Sequence, residues 1–201
     1  MNHSPHLVAA AAALFLCVGA SAQTIQISGT VVEDQGVVSL ELVENLQLVS
    51  GAVDVLTLVD LDQEMTGTIV PGSNPVQVAI DTTGDPLSWT RIQGDTTVGG
   101  TFDVRIDDDT ALRYYTFVAF NQDFLPLDPL AVGVHGTLYL NFANLFVLSV
   151  GPMIDGRWRE SYTIPNDPTF AGLNLWFQSG MQYPSGELVY GNLALLSIEL
   201  P

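Results

Sequence analysis

Lysine is absent from this 201-residue chain, and five arginines stand against 22 aspartates and glutamates, for a formal net charge of −17. That shortage of positive charge excludes nucleic acid as a partner, because binding it requires a basic surface that displaces condensed counterions. It disfavours an anionic membrane surface for the same reason. Cysteine occurs once, at Cys17. Histidine occurs at positions 3, 6 and 135. A Gly-x-Ser-x-Gly elbow, a phosphate-binding loop and a dinucleotide fingerprint are all missing, so nucleophilic hydrolysis and nucleotide chemistry have no visible constellation. Long amphipathic helical patterns are missing too.

The N-terminus reads as a leader. Leu7 to Gly19 is an unbroken apolar run, too short to span a bilayer comfortably, and it ends in Ala20-Ser21-Ala22, the small-residue spacing that signal peptidase accepts. The expected signal peptide is residues 1–22, and the expected location is secreted or cell-envelope, outside the cytoplasm. Cys17 leaves with the leader, so the mature chain is expected to be free of disulfides and to hold together by core burial alone. No segment is expected to be an integral membrane span.

From Gln23 onward the chain alternates apolar and polar residues in short runs separated by turn residues, the pattern of half-buried strands. Glu33-Asp34-Gln35-Gly36 reads as a hairpin turn. Val53, Val55, Val59, Leu61 and Met65 read as one face of a long strand, opposed by Asp54, Asp60, Asp62 and Glu64. Phe102, Val104 and Ile106 form the cleanest half-buried strand. Leu112 to Phe120 is apolar on both faces and reads as a central strand, with a short helix as the alternative. Asp128-Pro129 reads as the start of a single helical turn. The fold class is therefore all-β: an antiparallel sandwich or jelly-roll-like arrangement, as one domain or as two small β units. A shift to Gly, Thr and Asp near Gly94–Gly100 places the division between residues 23–97 and residues 98–201.

The best-defined stretch runs from Ile164 to Gln178. Pro165 holds Ile164 extended. Asp167 followed by Pro168 is a capping carboxylate before a proline pre-set for the first helical position. Gly172 permits a bend that a side chain resists. Leu173, Leu175 and Phe177 then alternate with Asn174, Trp176 and Gln178. With Gly100-Thr101-Phe102, Phe124 to Asp128, Gly136 to Leu140, Asp155-Gly156 and Asn192-Leu193-Ala194, this order resembles an uncharacterised β-rich module found near the C-termini of exported bacterial proteins. The resemblance covers about residues 98–201. It implies an extracellular or envelope location and brings no catalytic residues with it.

Trp158, Tyr162 and Trp176 are candidates for a sugar-stacking platform, with Glu160 on the strand face of Trp158 and Tyr162; filling of the core is the competing role for such rings. His135 reads as a loop polar residue, and a lone histidine without cysteines cannot supply a usual zinc shell. Asp60, Asp62 and Glu64, and separately Asp107, Asp108 and Asp109, offer hard oxygen ligands of the kind calcium takes, but neither set has the twelve-residue loop spacing. Solvated acidic faces are the favoured reading, so no cofactor is expected. The leading functional expectation is a non-enzymatic structural, adhesive or surface-assembly protein whose partners are other extracellular proteins or polysaccharide. The alternative is a carbohydrate-binding module.

Overall fold

The computed structural model describes residues 23–84, 89–128, 130 and 132–201. The expected leader at residues 1–22 lies outside the described residues, as do Pro129 and the side chain of Trp89. Among the described residues, fifteen strands and three 3-10 turns of three or four residues make up the regular structure. The chain is all-β. No helix among the described residues is long and apolar enough to cross a membrane.

The first five strands, β1 (Thr24–Asp34), β2 (Val37–Leu40), β3 (Leu46–Ser50), β4 (Asp62–Ile69) and β5 (Val76–Gly84), close into a barrel in the order β1-β2-β3-β5-β4. Strand β1 is long enough to serve two neighbours, pairing with β4 through residues 24–30 and with β2 through residues 31–34. Closure is made by a parallel β3–β5 pair. This is the connectivity of a five-stranded Greek-key barrel of the OB type, a fold that by itself assigns no ligand. Alternation fills its interior with Ile25, Ile27, Leu40, Leu48, Met65, Val78 and Ile80, all buried. The β1–β2 turn falls on Gln35 and Gly36, both at positive φ, as a two-residue hairpin matched to strand twist requires.

One expectation for this region is corrected. Val53 to Met65 is not one strand. Asp54 accepts a hydrogen bond from the Leu56 N–H at 3.1 Å and caps a 3-10 turn over Val55–Leu58; Asp60 takes a positive φ of 65°, and β4 begins only at Asp62. A short carboxylate offering a local acceptor outcompetes the ladder here. Val55 and Leu58 are buried and join the barrel core.

Downstream lie β6 (Trp89–Gly94), β7 (Thr101–Asp107), β8 (Arg113–Ala119), β9 (Gln122–Pro126), β10 (Val134–His135), β11 (Thr137–Leu140), β12 (Phe146–Pro152), β13 (Arg157–Thr163), β14 (Asn174–Gln182) and β15 (Leu188–Ser197). They form a five-stranded sheet, β10-β15-β14-β8-β12, a three-stranded sheet, β13-β7-β6, and the pair β11–β9. Strand β8 is interior, flanked by β14 and β12, in keeping with its two apolar faces. Strand β6 pairs along its length with β7, so the barrel ends at Gly84 and the expected division after residue 97 falls between two hydrogen-bonded partners.

The five-stranded sheet is the middle layer. One face packs on the three-stranded sheet through Phe102, Val104, Phe177 and Leu196. The other contributes Phe117, Ala119 and Leu193 to the barrel core, together with Leu138, Tyr139 and Leu140 of β11. Two buried amides tie the layers. Gln178 accepts from Tyr139 N–H at 2.9 Å and donates to the Thr137 and Gly191 carbonyls at 2.7 and 2.8 Å. Asn192 accepts from Thr90 N–H at 2.7 Å and donates to Thr90 C=O at 3.1 Å, which pins β6 to β15.

Candidate functional site

Three strands cannot cover five. Strand β12 pairs with β8 alone, and β13 pairs with β7 alone, so on this side of the sandwich each sheet ends in a free edge among the described residues. Sequence makes β12 unusual: Phe142 to Ile154 contains no charged residue in a chain of net charge −17. Natural edge strands are guarded by charge, proline or bulges. Here the guards are a bulge at Leu148 and Pro152 at the strand's end. Phe142, Phe146, Val147 and Val150 stand 72, 55, 59 and 49 % exposed.

The two faces of β12 look in different directions. Val147 and Val150 lie opposite Phe117 and Tyr115 of β8, which pack towards the barrel. Phe146 and Leu148 point between the sheets, into a cleft of about 420 Å³. Its lining is almost wholly apolar and includes Phe102, Phe120, Phe146, Phe170, Phe177 and Ile198. The turn after β13 forms one wall. As its sequence requires, Asp167 accepts from Thr169 N–H at 2.9 Å, Pro168 opens a 3-10 turn and Gly172 takes φ +83°; Pro165 and Phe170 thereby line the cleft.

Tyr162 also lines the cleft, its ring stacked on Phe102 at 5.7 Å, and its hydroxyl donates to Glu160 Oε2 at 2.8 Å. Burial pushes the Tyr162 phenol well above its usual range, and the neighbouring Glu160 carboxylate adds to the shift. The Tyr114 hydroxyl lies 3.2 Å from Ser149 Oγ, and Gly151 leaves room for that ring, since a Cβ there would meet the Tyr114 oxygen at 2.7 Å. Tyr162, Glu160, Tyr114 and Ser149 thus make a polar knot across the sandwich's open side. On the same face of the middle sheet, one residue pair beyond Phe177 and Val118, Ser179 lies opposite Thr116. Both are fully buried, and neither hydroxyl has a hydrogen-bond partner.

The three candidate rings for a sugar platform do not share a surface. Trp158 stacks on Tyr114 at 4.2 Å and, with Tyr162, packs between the two sheets. Trp176 packs on the opposite face of the middle sheet, against the barrel core. Alternation shows which residues share a face of one strand but not which layer that face meets. The acids do not converge either: no group of three or more metal-capable side chains occurs among the described residues. Asp108 is buried, accepting from Thr110 and Ala111 N–H groups at 2.9 Å and from the Tyr183 hydroxyl at 2.6 Å, while Asp62 accepts from Thr30 at 2.8 Å. His135 has Asp128 Oδ1 at 3.0 Å from Nδ1 and Glu187 Oε1 at 3.7 Å from Nε2, so carboxylates, not a hydroxyl nucleophile, face its ring nitrogens.

Sequence reasoning missed the cleft residues Phe120, Phe146, Leu148 and Phe170. The available signal was the charge-free run from Phe142 to Ile154, which stands out in so acidic a chain.

No family model matches the sequence, and no curated protein matches it. Among solved structures, the crystal structure of red sea bream transglutaminase aligns over 77% of this chain and 24% of its own length, at 7% identity and a TM-score of 0.30. The chain therefore spans about a quarter of that structure.

Proposed function

We propose that this is an exported, non-catalytic β protein of the adhesive or surface-assembly kind, and that it assembles with a second copy of itself along β12. One observation carries the reading: an exposed, charge-free edge strand in a chain of net charge −17. Two copies repel each other through their acidic surfaces, so a stable contact belongs where charge is absent. An isologous contact between two copies of β12 would extend the sheet across a two-fold axis and cover Val147 and Val150. Screening the repulsion with salt strengthens such a contact.

Sedimentation velocity over a range of protein and salt concentrations tests this. The expected result is a monomer–dimer equilibrium shifted to dimer by added salt and abolished in a Val147→Lys, Val150→Lys protein of unchanged melting temperature. A monomer under every condition removes the reading. Retention of the protein on lipid vesicles with no self-association would replace it with a membrane-surface role.

A further inference from the structure

From the cleft between β12 and β13 we infer a binding site for an amphiphile: a hydrocarbon body seated among Phe102, Phe120, Phe146, Phe170 and Phe177, and an uncharged or cationic head that donates a hydrogen bond to Glu160. The site is distinct from the self-association surface, because Val147 and Val150 face away from the cleft.

Three observations converge. The cleft has the size of a small-molecule site and an almost wholly apolar lining, which suits a hydrocarbon and gives a sugar few hydrogen-bond partners. One end is polar. There Tyr162 uses one acceptor site of the Glu160 carboxylate, which has about four. The head is a donor because Glu160 accepts and repels anions, as does the acidic protein around it.

The test uses the purified protein and the fluorescent arylamine N-phenyl-1-naphthylamine, displaced by dodecanol, dodecylamine or dodecanoate. Saturable enhancement is expected, with the alcohol and the amine displacing the probe at least about tenfold more tightly than the carboxylate, the effect of one charge-assisted hydrogen bond. Glu160→Gln is expected to erase that preference while the probe still binds. Phe120→Lys, at an exposed position on the cleft's rim, is expected to lose the probe. The Val147→Lys, Val150→Lys protein is expected to bind it normally, which keeps this result separate from self-association. Displacement by dodecanoate as tight as by dodecylamine, absence of saturable binding, or loss of the probe in the Val147→Lys, Val150→Lys protein overturns the assignment.

Discussion

The hydroxyl of Tyr139, on a fully buried side chain of β11, accepts a hydrogen bond from the backbone N–H of Ser28 in the barrel at 3.3 Å. The ring packs against Phe124 at 6.2 Å and sits in the core that the barrel shares with the middle sheet. Thr137 Oγ1 adds a second tie, donating to Gln26 C=O at 2.8 Å.

Barrel and sandwich are therefore expected to unfold together. Tyr139→Phe keeps the ring and removes one acceptor from a buried donor, at an expected loss of about 1–3 kcal/mol. Urea unfolding followed by far-UV circular dichroism and by tryptophan fluorescence checks both points. Trp158 packs between the two sheets and Trp176 against the barrel core, so fluorescence reports the sandwich and its seam with the barrel, while circular dichroism reports all the strands. Coincident transitions, shifted together in the variant, are the expected outcome. Two separated transitions would mean that the shared core does not couple the units.

Gln178 is the more severe case. Gln178→Leu preserves approximate volume but strands one N–H and two carbonyls in a fully buried site. Each stranded group costs about 1–3 kcal/mol, and a domain has only about 5–15 kcal/mol to lose. The variant is expected to accumulate as insoluble protein, and any soluble fraction to melt far below the parent. A soluble variant with the parent's urea midpoint would show that these bonds contribute little.

What could be read from the sequence was local. Phe102, Val104 and Ile106 are buried on one strand because alternation needs only a pleat and a core. The Asp167-Pro168 cap and the Gly172 bend followed from the chemistry of those residues. Gln178 and Asn192 stood out within a resemblance, and their reason appears only in three dimensions: each satisfies backbone groups on another strand. Non-local pairing was illegible. The parallel β3–β5 closure joins segments with β4 between them, and no pattern within either strand announces it. Trp176 could not be separated from Trp158 and Tyr162, because the layer that a strand face meets is decided by sheet order. The cleft escaped notice for the same reason, since it exists where a three-stranded sheet stops short of β12.

Acid is expected to weaken the protein through Asp103. Its carboxylate accepts from Ser161 Oγ at 2.6 Å and from the Arg159 guanidinium, with Arg105 at 3.9 Å. The Ser161 hydrogen bond, then Arg159, holds it below the usual carboxylate range. A depressed folded-state pKa gives stability that is complete above the unfolded value of about 3.9 and is lost as pH falls through the folded value. Asp103→Asn removes that contribution. The gap in urea midpoint between parent and variant is expected to be widest near neutrality and to close in acid. A gap that stays constant with pH would place the effect in packing.

At the alkaline end the tyrosines reverse the sign. Burial raises the phenols of Tyr139, Tyr162, Tyr183 and Tyr190 above their usual value, and acceptance by Asp108 and by Glu160 adds to the shift at Tyr183 and Tyr162. Each is held neutral in the folded chain, while in the unfolded chain it ionises near pH 10. Their contribution to stability is complete below about pH 10 and is lost as pH rises towards the raised folded values. Tyrosinate absorbance is expected to show these four ionising late, in step with loss of the circular dichroism signal, and reversibly only while that signal survives. Tyr183→Phe is expected to subtract one phenol from the late phase and to release Asp108 from its 2.6 Å bond. Ionisation of all four near pH 10 with the fold intact would show that none of them is sealed from water.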